Sequence, residues 1–237
     1  MKKLIALVLT LALALCASLA LAEEAAPMTH EEYVAAELDT AVTVETYVQD
    51  HQGWYEKDGV GVMTVYCQSE DGAYFLYEMK MSKEEADKLV PGTKIRVSGY
   101  KSEWAGEVEI MDATFEILEA DPFIAEPADV TALVGTDELI AHQNELVCFA
   151  DATIEAYDES GAAFAYKNAE EKTDDLYFKA TVNGQSCSFC VEFYLRGQDS
   201  EVYKAVEGLK VGDVVDLVGY LYWYEGANPH IIGVTVK

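Results

Sequence analysis

Apolar and polar residues alternate with a period of two along most of this chain. Val42, Val44, Thr46 and Val48 alternate with Thr43, Glu45 and Tyr47, the pattern of a half-buried strand. A polar loop from Gln49 to Gly59 separates it from a second strand over Val60–Cys67. Glu70, Asp71 and Gly72 signal a hairpin, and Ala73–Met79 reads as the third strand. Ser82 and Glu85 have capping-box spacing and predict a short helix through Leu89, which Pro91 and Gly92 end. A fourth strand over Lys94–Tyr100 places Ile95 and Val97 inward. The fifth, Glu107–Ile117, changes phase midway. Val108 and Ile110 share one face, but Met111, Ala113, Phe115 and Ile117 continue on odd numbers, which predicts a β-bulge or a strand bending round a barrel. Ahead of the first strand, Thr29 and Glu32 form another capping-box pair, and Tyr33, Val34 and Leu38 supply one apolar face of a helix over Thr29–Glu37.

The same order then recurs. Strands are predicted over Leu146–Glu155, Leu176–Val182 and Ser186–Leu195, with Asn183-Gly184 as the hairpin turn between the last two. A helix over Ser200–Glu207 and strands over Val214–Tyr222 and His230–Val236 complete the copy. Thr136–His142 stands where the first copy has its leading helix, and Ala162–Tyr166 adds a small extra strand. The duplication is explicit in two ungapped stretches. Gly92, Gly99, Tyr100 and Gly106 match Gly212, Gly219, Tyr220 and Gly226 at one fixed offset, with Ile95/Val215, Val97/Leu217 and Trp104/Tyr224 as close substitutions. Two prolines, Pro122 and Pro127, mark a linker over residues 121–128. The expected organisation is a first domain over 23–120, including the N-terminal helix, and a second over 129–237.

Residues 1–22 read as a secretory leader: Lys2 and Lys3, an apolar run from Leu4, and Ala20-Leu21-Ala22 as the cleavage site. Cleavage after Ala22 predicts a secreted or cell-surface protein with no membrane insertion. A lipid anchor at Cys16 is disfavoured, because Leu15 stands where a small residue is needed. Loss of Lys2 and Lys3 makes the formal net charge of −27 more negative by two. Such a surface favours solubility and repels phosphate backbones. Export also permits disulfides among Cys67, Cys148, Cys187 and Cys190, whose pairing the sequence leaves open. Cys187 and Cys190 lie on a predicted strand, where residues three apart face opposite sides, so they do not read as a redox or zinc pair.

Three strands, a helix and two strands, found twice, is the order of the OB-fold, a five-stranded Greek-key barrel. The fold class expected is therefore all-β with short helices, two such barrels in tandem. The run from Pro91 to Gly99, followed by Glu109-Ile110-Met111-Asp112, resembles the closing segment of the small exported bacterial OB-fold (BOF) family. The match covers about a quarter of the first copy and less of the second, where Asp213 and Val214 replace Thr93 and Lys94. The resemblance implies the barrel architecture and an exported ligand-binding or stress-related module.

Candidate chemistry concentrates in aromatic residues. OB-folds bind ligands on the face of strands two and three and at the loops joining strands one–two and four–five. Trp54 and Tyr55 fall in the first such loop, Trp104 in the second, and Tyr222, Trp223 and Tyr224 in the four–five loop of the second copy. These six are the expected contacts for an extracellular glycan, peptide, protein or small molecule, with Trp54 and Trp223 expected to be exposed. Tyr100 and Tyr220 read as braces of the barrel end. The only basic-enriched stretch, Lys80, Lys83, Lys88, Lys94, Arg96 and Lys101, is interleaved with acids and reads as solvated surface, so a nucleic-acid partner is disfavoured on charge. Single-stranded nucleic acid and a purely structural envelope role are the alternatives. His30, His51, His142 and His230 are scattered, and no catalytic motif is present, so no enzymatic activity, cofactor or metal is expected. The acidic residues Glu170, Glu171, Asp174 and Asp175 read as a solvated loop.

Overall fold

The computed structural model describes residues 26–168 and 174–237. The expected leader and Glu170 and Glu171 lie outside the described residues. The first barrel comprises β1 (Ala41–His51), β2 (Tyr55–Lys57), β3 (Val60–Ser69), β4 (Gly72–Lys80), β5 (Lys94–Trp104) and β6 (Glu107–Ile117). The second comprises β7 (Ala128–Asp129), β8 (Leu146–Ile154), β9 (Phe164–Tyr166), β10 (Leu176–Val182), β11 (Gln185–Val191), β12 (Val214–Tyr220) and β13 (His230–Val236). Among the described residues three α-helices accompany them: α1 (His30–Ala35), α2 (Lys83–Ala86) and α3 (Glu201–Glu207).

Each barrel closes in the same way. The order β1-β5-β6-β4-β3 returns through β3 to β1, and β8-β12-β13-β11-β10 returns through β10 to β8. The third and fifth strands run parallel in both, at Leu76↔Ile110 and Cys190↔His230, and the remaining closing pairs are antiparallel. This is the five-stranded Greek-key OB-fold, twice. The first strand is long because it pairs with two neighbours. Val44 faces Val97 of β5, and after a bulge between Val48 and Asp50 the strand turns onto β3.

The repeated glycines explain the closure. A Cβ on Gly99 would sit 2.7 Å from the Met111 carbonyl, and one on Gly219 would sit 2.4 Å from the His230 carbonyl. Opposite both glycines the partner strand carries an extra residue: pairing jumps from Ser98↔Thr114 to Tyr100↔Met111, and from Val218↔Gly233 to Gly219↔Ile231. The phase change legible in β6 is this bulge, with Asp112 at a φ of 51°. The core side chains follow the alternation. Val44, Val65, Leu76, Ile95, Val97 and Ile110 fill the first barrel. Phe149, Phe178 and Phe189 dominate the second, with Phe178 and Phe189 stacked at 5.3 Å.

Helix ends follow their capping chemistry. The Thr29 and Glu32 side chains and backbones bond reciprocally at the start of α1, and Ser82 and Glu85 do so at α2. Both helices are shorter than expected. The first stops where Ala36 turns to extended backbone, and there Lys101 is buried, donating to the carbonyls of Tyr33, Val34 and Ala36 at 3.0, 2.8 and 2.8 Å. Lys101 thus caps a helix end rather than facing solvent. The segment Leu139–His142 is a 3₁₀ turn, and β11 and β12 end earlier than the patterns suggest. The loop after β1 contains the short β2, paired with β3.

The barrels pack against each other. Tyr66, Phe75, Leu146, Leu195 and Tyr220 form a buried cluster drawn from both, with the Tyr66 and Tyr220 rings 4.6 Å apart. Polar bonds fix the register of the seam. Leu146 N–H donates to Gln68 Oε1 at 2.8 Å, Asn144 Nδ2 to the Val108 carbonyl at 3.0 Å, and Arg196 pairs with Asp50. The intervening segment is held by Gln49, whose amide donates to the Phe123 carbonyl and accepts from Ala125 N–H.

Candidate functional site

The seam opens on one side into a cleft lined by aromatic rings. A cavity of about 500 Å³ and another of about 660 Å³ share Gln52, Tyr77, Trp104, Lys167 and Glu192 in their walls. A third, of about 320 Å³, shares Tyr77, Trp104 and Tyr222 with the first. From the first barrel the walls receive Phe75 and Tyr77 of β4, Trp54 and Tyr55 of the β1–β3 loop, and Trp104 at the end of β5. From the second they receive Tyr177 of β10, Cys190 of β11, Tyr157 of the β8–β10 loop, and Tyr222 and Tyr224 of the β12–β13 loop. Each barrel therefore turns the face of its second and third strands, with both adjoining loops, toward one common space.

The repeated segments meet here. Trp104 and Tyr224, equivalent positions of the duplication, are both exposed, and their rings lie 5.1 Å apart. Ala105 with Gly106 and Glu225 with Gly226 take successive positive φ values that reverse the two loops tightly. Glu225 N–H then donates to the Ala105 carbonyl at 2.7 Å, so the two loops touch directly. On the floor, Tyr222 stacks on His230 at 4.1 Å with an interplanar angle of 18°. Burial holds the His230 pKa down at about 4, so its ring is neutral, and its Nδ1 pairs with the Tyr66 hydroxyl at 2.8 Å.

Two carboxyl groups, Glu192 and Glu109, line the same space, and a third, Glu107, is buried in the seam beside it. Burial pushes Glu192 and Glu109 up to about 7 and Glu107 up to about 8. Glu192 accepts from Leu195 N–H at 2.7 Å and from Gln52 across the seam at 3.2 Å. Glu107, fully buried, accepts from Trp223 N–H at 2.8 Å, and its Oε1 has no partner. Lys167 is the basic residue in the cleft wall, and it pairs with Asp174 and Asp175 at 3.3 and 3.2 Å.

Of the six aromatics read from the sequence, five line the cleft. Trp104, Tyr222 and Tyr224 present their rings there, and Tyr55 donates to Glu78 at 2.5 Å at its rim. Trp54 also reaches it but is half-buried, with Nε1 donating to the Met81 carbonyl at 3.1 Å and its indole packed over Gly61. Trp223 does not line it. Its indole packs against the second core and over Gly106, so its expected exposure is corrected. Tyr220 is buried in the seam as a brace, but Tyr100 is 53 % exposed on the first barrel and lies outside that buried cluster. Tyr77, Tyr157 and Tyr177 were not anticipated. The available signal was that their strands and loops carry aromatics on the polar phase of the alternation, as in Leu176-Tyr177-Phe178. Cys187 and Cys190 face opposite sides of β11, and the four described cysteines are free thiols. No group of three metal-binding side chains occurs among the described residues.

No family model matches the chain, and no curated protein matches it. The resemblance to the small exported bacterial family therefore stays at the level of the barrel fold. Among solved structures, the chain is similar to a murine DNA-binding protein bound with double-stranded DNA, at 12 % identity and a TM-score of 0.38, covering 82 % of this chain and 96 % of that one. It is similar to the p204 HINb domain at 12 % identity and 0.36, covering 85 % and 100 %. A replication protein A heterotrimer bound to single-stranded DNA follows at 10 % and 0.32, covering 85 % of this chain and 49 % of that one. These likenesses concern fold. Two expectations are corrected: the module holding a glycan, peptide or small molecule on exposed rim aromatics, and the setting aside of nucleic acid. The geometry agrees with the first correction, since Trp54 and Trp223 are engaged in the fold and the free aromatic faces lie in a cleft between barrels.

Proposed function

We propose that this protein binds short unpaired stretches of nucleic acid, with bases stacked between the aromatic rings of the cleft. The observation that carries the reading is the convergence of both barrels' ligand faces on one aromatic-lined space. Base–aromatic stacking contributes roughly 1–3 kcal/mol per base and tolerates any base. Two or three stacked bases contribute roughly 2–9 kcal/mol in total, so the micromolar range, about −8 kcal/mol, is the upper end of what the cleft supplies. Phosphate contacts contribute little, because Lys167 already has carboxylate partners and the chain carries a formal charge of −27. The binding proposed is therefore stacking-driven and opposed by long-range repulsion. The proposal includes no chemical step, and it carries forward the exported location expected from residues 1–22.

Fluorescence anisotropy with a labelled single-stranded hexamer tests it. Saturable binding is expected, with poor competition by duplex, whose bases are not free to stack. Affinity is expected to hold or rise between about 20 and about 200 mM NaCl, because salt screens the repulsion. A phosphate-driven binder loses affinity steeply over that range. Tyr77→Ala and Trp104→Ala each weaken binding by about tenfold or more. Absence of binding at both salt concentrations overturns the proposal.

A further inference from the structure

The cleft's polar wall is unusual for a surface that meets a polyanion, and its carboxyl groups have a specific consequence. Glu109 and Glu192 stand beside the stacking rings: Glu109 with Tyr77, Trp104 and Tyr222, and Glu192 with Tyr77, Trp104 and Tyr194. Glu109 is 5 % exposed, no described ion pair involves either group, and a base edge that meets Glu192 takes the place of Gln52 on its Oε2, beside the bond from Leu195 N–H. A neutral carboxyl has one O–H donor and one carbonyl acceptor side by side, whereas a carboxylate has acceptors only. The Watson–Crick edge of every base offers an acceptor next to a donor, so the neutral form matches all of them. Two adjacent donors occur only on guanine, at N1–H and N2–H, so the ionised form matches guanine alone.

We infer that Glu109 and Glu192 read the edges of stacked bases, and that their ionisation converts the cleft from a general binder of unpaired bases into one restricted to guanine. This inference rests on the proposed function above. Burial places both groups at about 7, so the conversion falls near neutrality. The surroundings favour the neutral form. Glu109 is faced by Glu78 and Tyr77 of β4, by Glu107 of its own strand, by Tyr33 of α1 and by Tyr222 of the β12–β13 loop. Glu192 is faced by Asp175 before β10, Cys190 of β11, Tyr66 of β3, Tyr222 and the already paired Lys167. The nearby cation Arg196 is engaged by Asp50.

The test compares two hexamers, all-thymine and alternating thymine–guanine, at about pH 5.5 and about pH 8.5, on the full chain. The all-thymine probe is expected to lose about tenfold or more in affinity at the higher pH, and the guanine-containing probe much less. In the Glu109→Gln/Glu192→Gln double variant each amide donates and accepts as the neutral acid does. The amide oxygen introduced by Glu192→Gln still accepts from Leu195 N–H, and the all-thymine affinity no longer changes with pH. Equal losses for both probes show that charge alone acts and overturn the base readout. A pH-independent wild type, or an unchanged loss in the double variant, overturns the assignment of these two residues while the stacking cleft stands. Failure of both probes to bind at either pH overturns the cleft reading itself.

Discussion

Glu107 makes a quantitative prediction about how the two barrels stay together. It is fully buried at the seam, with one oxygen held by Trp223 N–H and the other without a partner. Burial moves its pKa from 4.5 to about 8, with the Glu109 charge adding to the effect and Trp223, Asn144 and Gln143 opposing it. The folded state therefore binds a proton that the unfolded state releases. The sign follows: the contribution is fully present below the ordinary carboxylate range and is lost as pH rises from there through about 8. Each pKa unit corresponds to about 1.4 kcal/mol, so the full shift sets an upper limit near 5 kcal/mol. Local opening of the seam to water reduces this to about 2–4 kcal/mol. Glu107→Gln keeps the shape and the acceptor for Trp223 but cannot ionise. Urea unfolding of wild type and variant at about pH 5.5 and about pH 8.5 reads the difference. The variant is expected to exceed the wild type by about 1 kcal/mol at the lower pH, where the unfolded wild type is already ionised, and by about 2–4 kcal/mol at the higher. Parallel pH dependences for the two proteins refute the reasoning, because Glu192, which the substitution does not touch, titrates in both and cancels.

Other perturbations separate the fold from the cleft. Gly219→Ala forces a Cβ to 2.4 Å from the His230 carbonyl, and circular dichroism is expected to show loss of the native fold or a destabilisation above about 3 kcal/mol. Gly212→Ala, at a φ of 94° but in open space, costs only about 1 kcal/mol. Tyr66→Phe leaves His230 Nδ1 buried without its partner and lowers stability by about 1–3 kcal/mol in the same unfolding assay.

Much of the architecture is legible in the residues themselves, because it is written in local terms. The matched glycines occupy positions where a side chain would strike the neighbouring strand or where φ is positive, and the odd–even slip after Ile110 is the bulge opposite Gly99. The cleft is harder to read because it exists only after two barrels dock. Tyr100 and Tyr220 hold one position of the repeat, yet one faces solvent and the other is buried between the barrels. A reading that treats the copies as equivalent assigns them one role, and docking assigns them two. Lys101 shows the same limit. Its sequence neighbours suggest surface, and its ammonium lies buried against helix carbonyls that no local pattern places there.

A photocrosslinking map tests the shared cleft most directly. A hexamer carrying 5-iodouracil is irradiated with the protein, and the modified peptides are identified by mass spectrometry. The account predicts crosslinks on both walls, to Tyr77 or Trp104 of the first barrel and to Tyr177, Tyr222 or Tyr224 of the second. Crosslinks confined to an outer face, such as that of Tyr100, contradict it.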